Sequence, residues 1–233
     1  MNQIKQLAAA ALIVTVTGCA SSGTPGNPGD PLEGYNRMMF KINDKVDTVA
    51  FQPLAKGYQT VTPGFVQTGI GNFFGNLGDL WSAVNQLLQG RGEAGFTSLT
   101  RVAFNTTFGL GGVLDIATEA HLTKQKSDFG QTLGVWGVGA GPYVVMPLLG
   151  SSTLRDVAGT PIDLYGDPWH YKYPVDVRNI GTVVRLVDRR AQLLSASNLL
   201  EDASLDKYVF VRDAYLESRQ AQIDAARARG EHQ

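Results

Sequence analysis

Cys19, three histidines and a glycine-rich run are the residues of this 233-residue chain whose types or spacing could do chemistry. Cys19 is the sole cysteine, so the chain by itself makes neither a disulfide framework nor a multi-thiolate metal site. It is either a buried free thiol or a point of covalent modification. His121 stands alone between Ala120 and Leu122, His170 sits among aromatics and His232 lies in the last residues. No metal-ligating cluster forms in the sequence, and a structural role is the reading for each histidine. Gly137-Val-Gly139-Ala-Gly141-Pro142 has glycines at a dinucleotide-binding spacing, but proline replaces the last glycine and no βαβ pattern surrounds it. Asn105-Thr106-Thr107 matches a glycosylation acceptor; a polar patch at a helix end is the better reading. There is no Gly-x-Ser-x-Gly elbow, no phosphate loop and no His-Glu-x-x-His pair, so no nucleophile with its base can be named. The expectation is a protein that is not an enzyme and uses no cofactor or metal.

Composition narrows the class further. Charged residues are 18% of the chain, glycines number 27 and the net charge is −1. That balance lacks the basic footprint of a nucleic-acid partner, and a hydrophobic fraction of 43% is too high for a disordered chain. Residues 1–18 read as an export signal: Lys5 supplies positive charge, and Leu7 to Val16 an apolar run too short to span a bilayer. Val16-Thr17-Gly18-Cys19 resembles the lipobox of bacterial lipoproteins. The resemblance implies that Cys19 becomes an acylated N-terminus, and several acyl chains together make a stable anchor. Ala20 follows, where an aspartate would mark retention in the inner membrane. The implied address is therefore the periplasmic leaflet of the outer membrane. Residues 19–30 form the lipidated end and a tether rich in Gly, Pro and Ser, reaching at most about 36 Å.

The elements that follow divide by charge. Residues 64–150 hold nine charged side chains and 17 of the 27 glycines, whereas residues 155–233 hold 23 charges. Tyr35, Met38, Met39, Ile42, Val46 and Val49 make one apolar stripe on a helix expected to end near Gln52, before Pro53. After Thr62-Pro63, a cap and first-turn pair, Ile70, Phe73, Phe74, Leu77, Trp81, Val84, Leu87 and Leu88 form an apolar face up to Gly90. The opposite face, with Asn72, Asn76, Asn85, Gln86 and Gln89, is polar but uncharged. This helix either packs in a soluble core or lies in a membrane interface, with Phe73, Phe74, Leu77 and Trp81 facing lipid.

A third helix is expected from Glu93 to about Phe108, with Phe96, Leu99, Val102 and Ala103 inward. Phe129 to Leu154 carries no charge over 26 positions, yet its glycines and prolines oppose a spanning helix. It reads as a helix over about 130–136, a glycine hairpin over 137–142 and an extended Tyr143–Met146. A short helical turn follows at Thr153 to Val157. The aromatics of residues 167–174 either cover a core or form a headgroup-level belt. Two C-terminal helices carry the stripes Val177, Ile180, Val183, Val184, Val187, Ala191, Leu194 and Leu205, Tyr208, Val211, Tyr215, Ile223. Their other faces, including Asp188-Arg189-Arg190, read as solvated.

Six ordered blocks carry a family resemblance: Asp30-Pro-Leu-Glu-Gly-Tyr-Asn-Arg37, Arg101 to Asp115, Phe129-Gly-Gln-Thr-Leu-Gly134, Gly137 to Tyr143, Leu154-Arg-Asp156 and Arg212-Asp-Ala-Tyr215. Over about residues 30–220 the chain resembles the MlaA (VacJ) outer-membrane lipoproteins. The resemblance implies a mainly α fold: a ring-like bundle of amphipathic helices lying in the membrane plane, with a glycine-rich hairpin and a central channel. The ring domain would span 31–222 and a C-terminal tail 223–233. It implies a channel that removes mislocalised phospholipids from the outer leaflet and passes them to a periplasmic phospholipid carrier (MlaC-like), maintaining outer-membrane lipid asymmetry beside a trimeric porin. Gly137, Gly139, Gly141 and Pro142 would stand at the channel, and Asn36, Lys41 and Ile42 would restrain the early helix. The chain departs from the family in ending soon after its last helix and in placing Lys41 where a neutral residue is common. A helix with one aromatic and one uncharged polar face suits a lipid path, since no fixed charge traps the headgroup. The competing reading is a structural or adhesive lipoprotein docked on a membrane protein without lipid passage.

Overall fold

The structure, a computed structural model, describes residues 30–197 and 205–230. The expected signal, Cys19 and nearly all of the tether lie outside the described residues. The fold is mainly helical. Helix α1 (Glu33–Val46) runs through a π-helical turn (Asp47–Phe51) into α2 (Gln52–Val61), followed by α3 (Gly64–Leu88), α4 (Gly92–Thr107) and the short α5 (Ile116–Glu119). Helix α6 (Phe129–Val135) leads to a hairpin of β1 (Tyr143–Met146) and β2 (Gly150–Thr153), then α7 (Leu154–Gly166), a 3-10 turn (Pro168–Tyr171), α8 (Val175–Gln192) and α9 (Lys207–Gly230).

Several expectations need correction. Pro53 does not end the first helix: the Gln52 N–H donates to Asp47 O, a wider π-type turn that makes room for a residue without an amide hydrogen. Helix α7 is longer than the single turn expected, continuing past Pro161 to Gly166. Strand β2 was not foreseen because Gly-Ser-Ser-Thr has no alternating apolar pattern. It pairs antiparallel with β1, Tyr143 opposite Thr153 and Met146 opposite Gly150. Helix α9 runs on past residue 223 to Gly230, with Ile223 and Ala226 buried.

Local chemistry explains the element ends that matter for the cavity described below. The Asp128 carboxylate caps α6 by accepting from Gln131 N at 2.8 Å, and Thr153 Oγ1 caps α7 by accepting from Asp156 N at 3.3 Å. Helices α6 and α7 cross so closely that a Cβ on Gly159 would sit 2.9 Å from Gly130 N. Apolar packing is confined to small clusters. Ala55, Ala191 and Leu194 join α2 to the α8 end, and Tyr143, Val145 and Tyr208 join β1 to α9.

The amphipathic helices are turned opposite to a soluble core. In α4 the inward residues are Ala94, Gly95, Ser98, Arg101 and Asn105, while Phe96, expected inside, is 66% exposed. In α3, Asn76, Asp79, Ser82, Asn85 and Gln86 are buried, and Leu80, Val84, Leu87 and Leu88 are exposed. In α8, Val177, Ile180 and Val183 are exposed while Asp188 is buried. Each exposed Å² of apolar surface costs roughly 25 cal/mol in water, so such faces belong against lipid or protein. Among the described residues no helix is long and apolar enough to cross a membrane.

Candidate functional site

Part of the inward faces of α3 and α8 borders a cavity of about 870 Å³, whereas the inward face of α4 packs on α3 and does not line it. Helix α3 supplies Asp79 and Trp81, the segment before α6 supplies Lys126 and Asp128, and α7, α8 and α9 complete the wall.

One side rests on an ion-pair network. Arg219 of α9 donates to two carboxylates: Nη1 and Nη2 reach Asp128 at 2.7 and 2.6 Å, and Nε and Nη2 reach Asp156 at 3.0 and 3.1 Å. Tyr215 OH also donates to Asp156 Oδ2, at 2.8 Å. Burial alone would raise the Asp156 carboxyl, but donors from Arg219, Tyr215 and Arg155 outweigh it and hold the group below its ordinary value. Burial likewise opposes charge on Arg219, and the two carboxylates overcome it.

A second network fixes α3 to α4. Arg101, with no exposed surface, donates from Nε to Asp79 at 3.3 Å, from Nη2 to both Asp115 oxygens at 2.9 Å and from Nη1 to Leu122 O. Asn105 is neither exposed nor a glycosylation site in shape: Nδ2 donates to Asp115 Oδ1 at 3.0 Å and Oδ1 accepts from Ala117 N at 2.8 Å. Farther along α3, Gln89 Nε2 donates to Ser127 Oγ and Thr132 Oγ1 at 2.7 and 2.9 Å, which ties the α3 end to α6. Two lining carboxylates are held by neutral donors instead. Asp163 accepts from Trp81 Nε1 and Phe129 N, both at 2.8 Å, and Asp188 from Tyr58 OH at 2.9 Å and Gln192 Nε2 at 2.8 Å. Burial pushes both carboxyls up. Asp188 is therefore not on a solvated face, and Arg190 beside it pairs with Asp47 in the π turn at 2.7 Å.

The expected site residues separate. Asn36 is buried and ties α1 to β1: it donates to Asp30 Oδ1 at 3.0 Å and Tyr143 O at 2.9 Å and accepts from Val145 N at 2.8 Å. Lys41 and Ile42 do not share this role, because both point outward; Asn43, two turns beyond Asn36, bonds Met146 O and Leu148 N instead. The sequence reading missed Asn43 because it sits one residue past the expected pair. Gly137, Gly139, Gly141 and Pro142 are exposed and are not among the residues lining the cavity. Gly137 has φ +95°, a turn that side chains resist. Phe74 is 8% exposed and lines the cavity with Trp81, so these two do not form an outer face. Phe73, Phe74 and Trp169 stack edge to face at 5.1–6.0 Å, so Trp169 covers the interior while Tyr171 and Tyr173 stay exposed. Leu77 is half-buried.

Arg101, Asp128, Asp156 and Arg219 were missed as site residues, although Arg101, Asp115, Asp156 and Tyr215 lie in the ordered blocks. Asp30, which opens the first block, accepts from Tyr208 OH and from Arg212 Nη1 at 3.4 Å, so the first and last blocks meet.

A mainly helical body with ionisable groups around a cavity and apolar side chains outside defines a class: a protein arranged for an apolar surrounding. Residues 28–222 match the family model described as MlaA lipoprotein, and the chain belongs to that family. It is 40% identical over 219 residues to the intermembrane phospholipid transport system lipoprotein MlaA of Shigella flexneri, covering 91% of this chain and 86% of the relative. The protein of that name from Escherichia coli (strain K12) is similar to the same extent. A solved structure described as giving the structural basis for maintenance of bacterial outer membrane lipid asymmetry superposes with a TM-score of 0.73 at 37% identity, covering 83% of this chain and 98% of that one.

Proposed function

We propose that this chain is an outer-membrane lipoprotein that conducts phospholipids through the polar-lined cavity. In this reading it removes mislocalised phospholipids from the outer leaflet and passes them to a periplasmic carrier, which maintains lipid asymmetry. The observation that carries the reading is the inversion of α3, α4 and α8. Apolar side chains of these helices turn outward to meet acyl chains, while the charged side chains that line the cavity, from α3, α7, α8 and α9, replace water around a headgroup. The relatives' names as phospholipid transport lipoproteins point the same way.

The anchor is Cys19, which holds the body in the periplasmic leaflet. The outward apolar belt, from Phe65 at 80% exposure to Phe96 and Ile180, takes contact with lipid tails and with a trimeric porin. The hairpin 137–142 acts as a movable element beside the cavity. It is tied to α7 where Arg155 N donates to Ala140 O at 3.1 Å and Leu154 N donates to Pro142 O at 3.0 Å. Displacing the hairpin would shift the helix that presents Asp156 and Asp163.

The test is extraction of the full-length protein from membranes with mild detergent, followed by quantification of bound lipid. Bound phospholipid supports the reading. Protein that carries none, and takes none up from vesicles, supports a purely structural lipoprotein.

A further inference from the structure

We infer that Arg91 and Arg229 hold the phosphate of a membrane lipid headgroup at the corner where α3 turns into α4, outside the cavity. One edge of the Arg91 guanidinium is only half used. Arg91 is 5% exposed, and its Nη2 donates to Gln125 Oε1 at 2.5 Å, whereas Nε, buried on the same edge, has no partner among the described residues. Nη1 reaches Gln89 Oε1 at 3.5 Å. In Arg219 the same Nε and Nη2 edge takes both oxygens of Asp156. Arg91 meets a neutral amide oxygen there instead. A buried N–H without an acceptor is costly, so its position points to an oxygen supplied from outside the chain. Arg91 also stands at the N-cap of α4, where the helix dipole disfavours a cation.

Arg229, in the last turn of α9, is exposed and donates from Nη1 to the same Gln125 Oε1 at 2.8 Å. Two guanidinium groups therefore converge on one uncharged oxygen. Neither makes an ion pair among the described residues, and Arg227, two positions earlier, adds a third positive charge while donating to Gly134 O. Burial, and then the like charge of Arg229, push the Arg91 guanidinium below its ordinary value. Gln125 is half-buried, so its side chain can turn towards solvent and yield its place. A phosphate oxygen in that place answers both guanidinium groups and brings a second oxygen to Arg91 Nε, the side-on pairing that arginine makes with oxyanions. The same chemistry fits free phosphate, but the neighbours favour a lipid. Leu87 and Leu88 at the end of α3 are exposed, and exposed Trp136 donates its indole N–H to Leu88 O at 2.9 Å, as an aromatic at headgroup level would stand. Arg91, Gln125 and Arg229 do not line the cavity, so this site does not depend on lipid conduction.

Full-length protein, isotope-labelled at arginine and stripped of lipid in neutral detergent, is titrated with dihexanoylphosphatidylglycerol, dihexanoylglycerol or inorganic phosphate. The readout is the Arg91 Nε–H resonance in NMR spectra, identified by its loss in Arg91→Lys. It should shift with the phospholipid at about tenfold lower concentration than with inorganic phosphate, and stay in place with dihexanoylglycerol. Arg229→Gln should raise the phospholipid concentration needed by about tenfold, and Gln125→Ala, which removes the competing oxygen, should lower it by about threefold. A resonance that stays in place with both anions, or shifts equally with dihexanoylglycerol, overturns the site. Weaker binding in Gln125→Ala, or unchanged binding in Arg229→Gln, overturns it as well. A shift with inorganic phosphate at an equal or lower concentration than with the phospholipid overturns the lipid headgroup as the ligand.

Discussion

The Arg219 guanidinium meets the Asp156 carboxylate side-on, Nε to Oδ2 at 3.0 Å and Nη2 to Oδ1 at 3.1 Å, across 63 residues of chain. The same guanidinium reaches Asp128, so one side chain joins α9 to the starts of both α6 and α7. Removing it leaves two carboxylates beside the cavity without their strongest donor. Arg219→Ala should destabilise the protein by about 3–5 kcal/mol, the usual cost of breaking a buried pair from one side. Chemical denaturation of the detergent-solubilised protein measures this, and Arg219→Lys should recover only part of the loss because it has no fork.

The restraint of α1 separates Asn36 from its neighbours. Asn36→Ala strands Val145 N–H, Tyr143 C=O and Asp30 together, and should cost about 2–3 kcal/mol. Lys41→Ala and Ile42→Ala, on the outward face, should stay within about 0.5 kcal/mol of wild type. Hydrogen exchange at Val145 N–H should quicken in the Asn36 variant and hold steady in the other two.

The Arg101 network has a signature in acid. Burial would raise the Asp115 carboxyl, but donors from Thr118, Asn105 and Arg101 bring it from 3.8 down to about 2. A folded-state value below the ordinary one contributes stability above pH 3.8 that is lost as pH falls from there through about 2. After allowance for solvent screening this is about 1 kcal/mol. Asp115→Asn should flatten stability over that acid window, read from unfolding midpoints across a pH series; Asp188, whose value is raised, should show the opposite slope above 3.8.

Glycines in similar helices should differ in sign. A Cβ at Gly159 meets Gly130 backbone at 2.9 Å, so Gly159→Ala should cost about 1–3 kcal/mol by forcing α6 from α7. Gly57 in α2 faces open space, and Gly57→Ala should stabilise by about 0.5–1 kcal/mol. Thermal melts of the two variants check the contrast.

Helix periods were legible in the sequence, and their inward side was not. Residues 93–108 were expected to be helical and α4 spans Gly92–Thr107. Periodicity separates Phe96 and Leu99 from Ser98 and Arg101 but carries no information on which face meets the protein; the surroundings decide that, and here the polar face is inside. The π turn escaped because Pro53 normally stops a helix. The carboxylate network escaped because its partners lie far apart in sequence, Arg219 being 91 residues from Asp128. Asn36 stood out in the sequence as part of its block, whereas Asn43, which makes the second set of contacts to the hairpin, lies outside every block.

The central claim is that phospholipid passes through the cavity, and Gly78 offers a direct test. It lines the cavity, and a Cβ added there touches nothing within 4 Å, so Gly78→Phe adds an aromatic ring at the lining from a position with room for its Cβ. Outer-leaflet phospholipid should be measured by surface labelling in cells that lack the gene and carry either the wild type or this variant at equal membrane abundance. The wild type should restore a phospholipid-poor surface and Gly78→Phe should leave it as high as in the deletion. Equal restoration by the two proteins would contradict transport through this cavity.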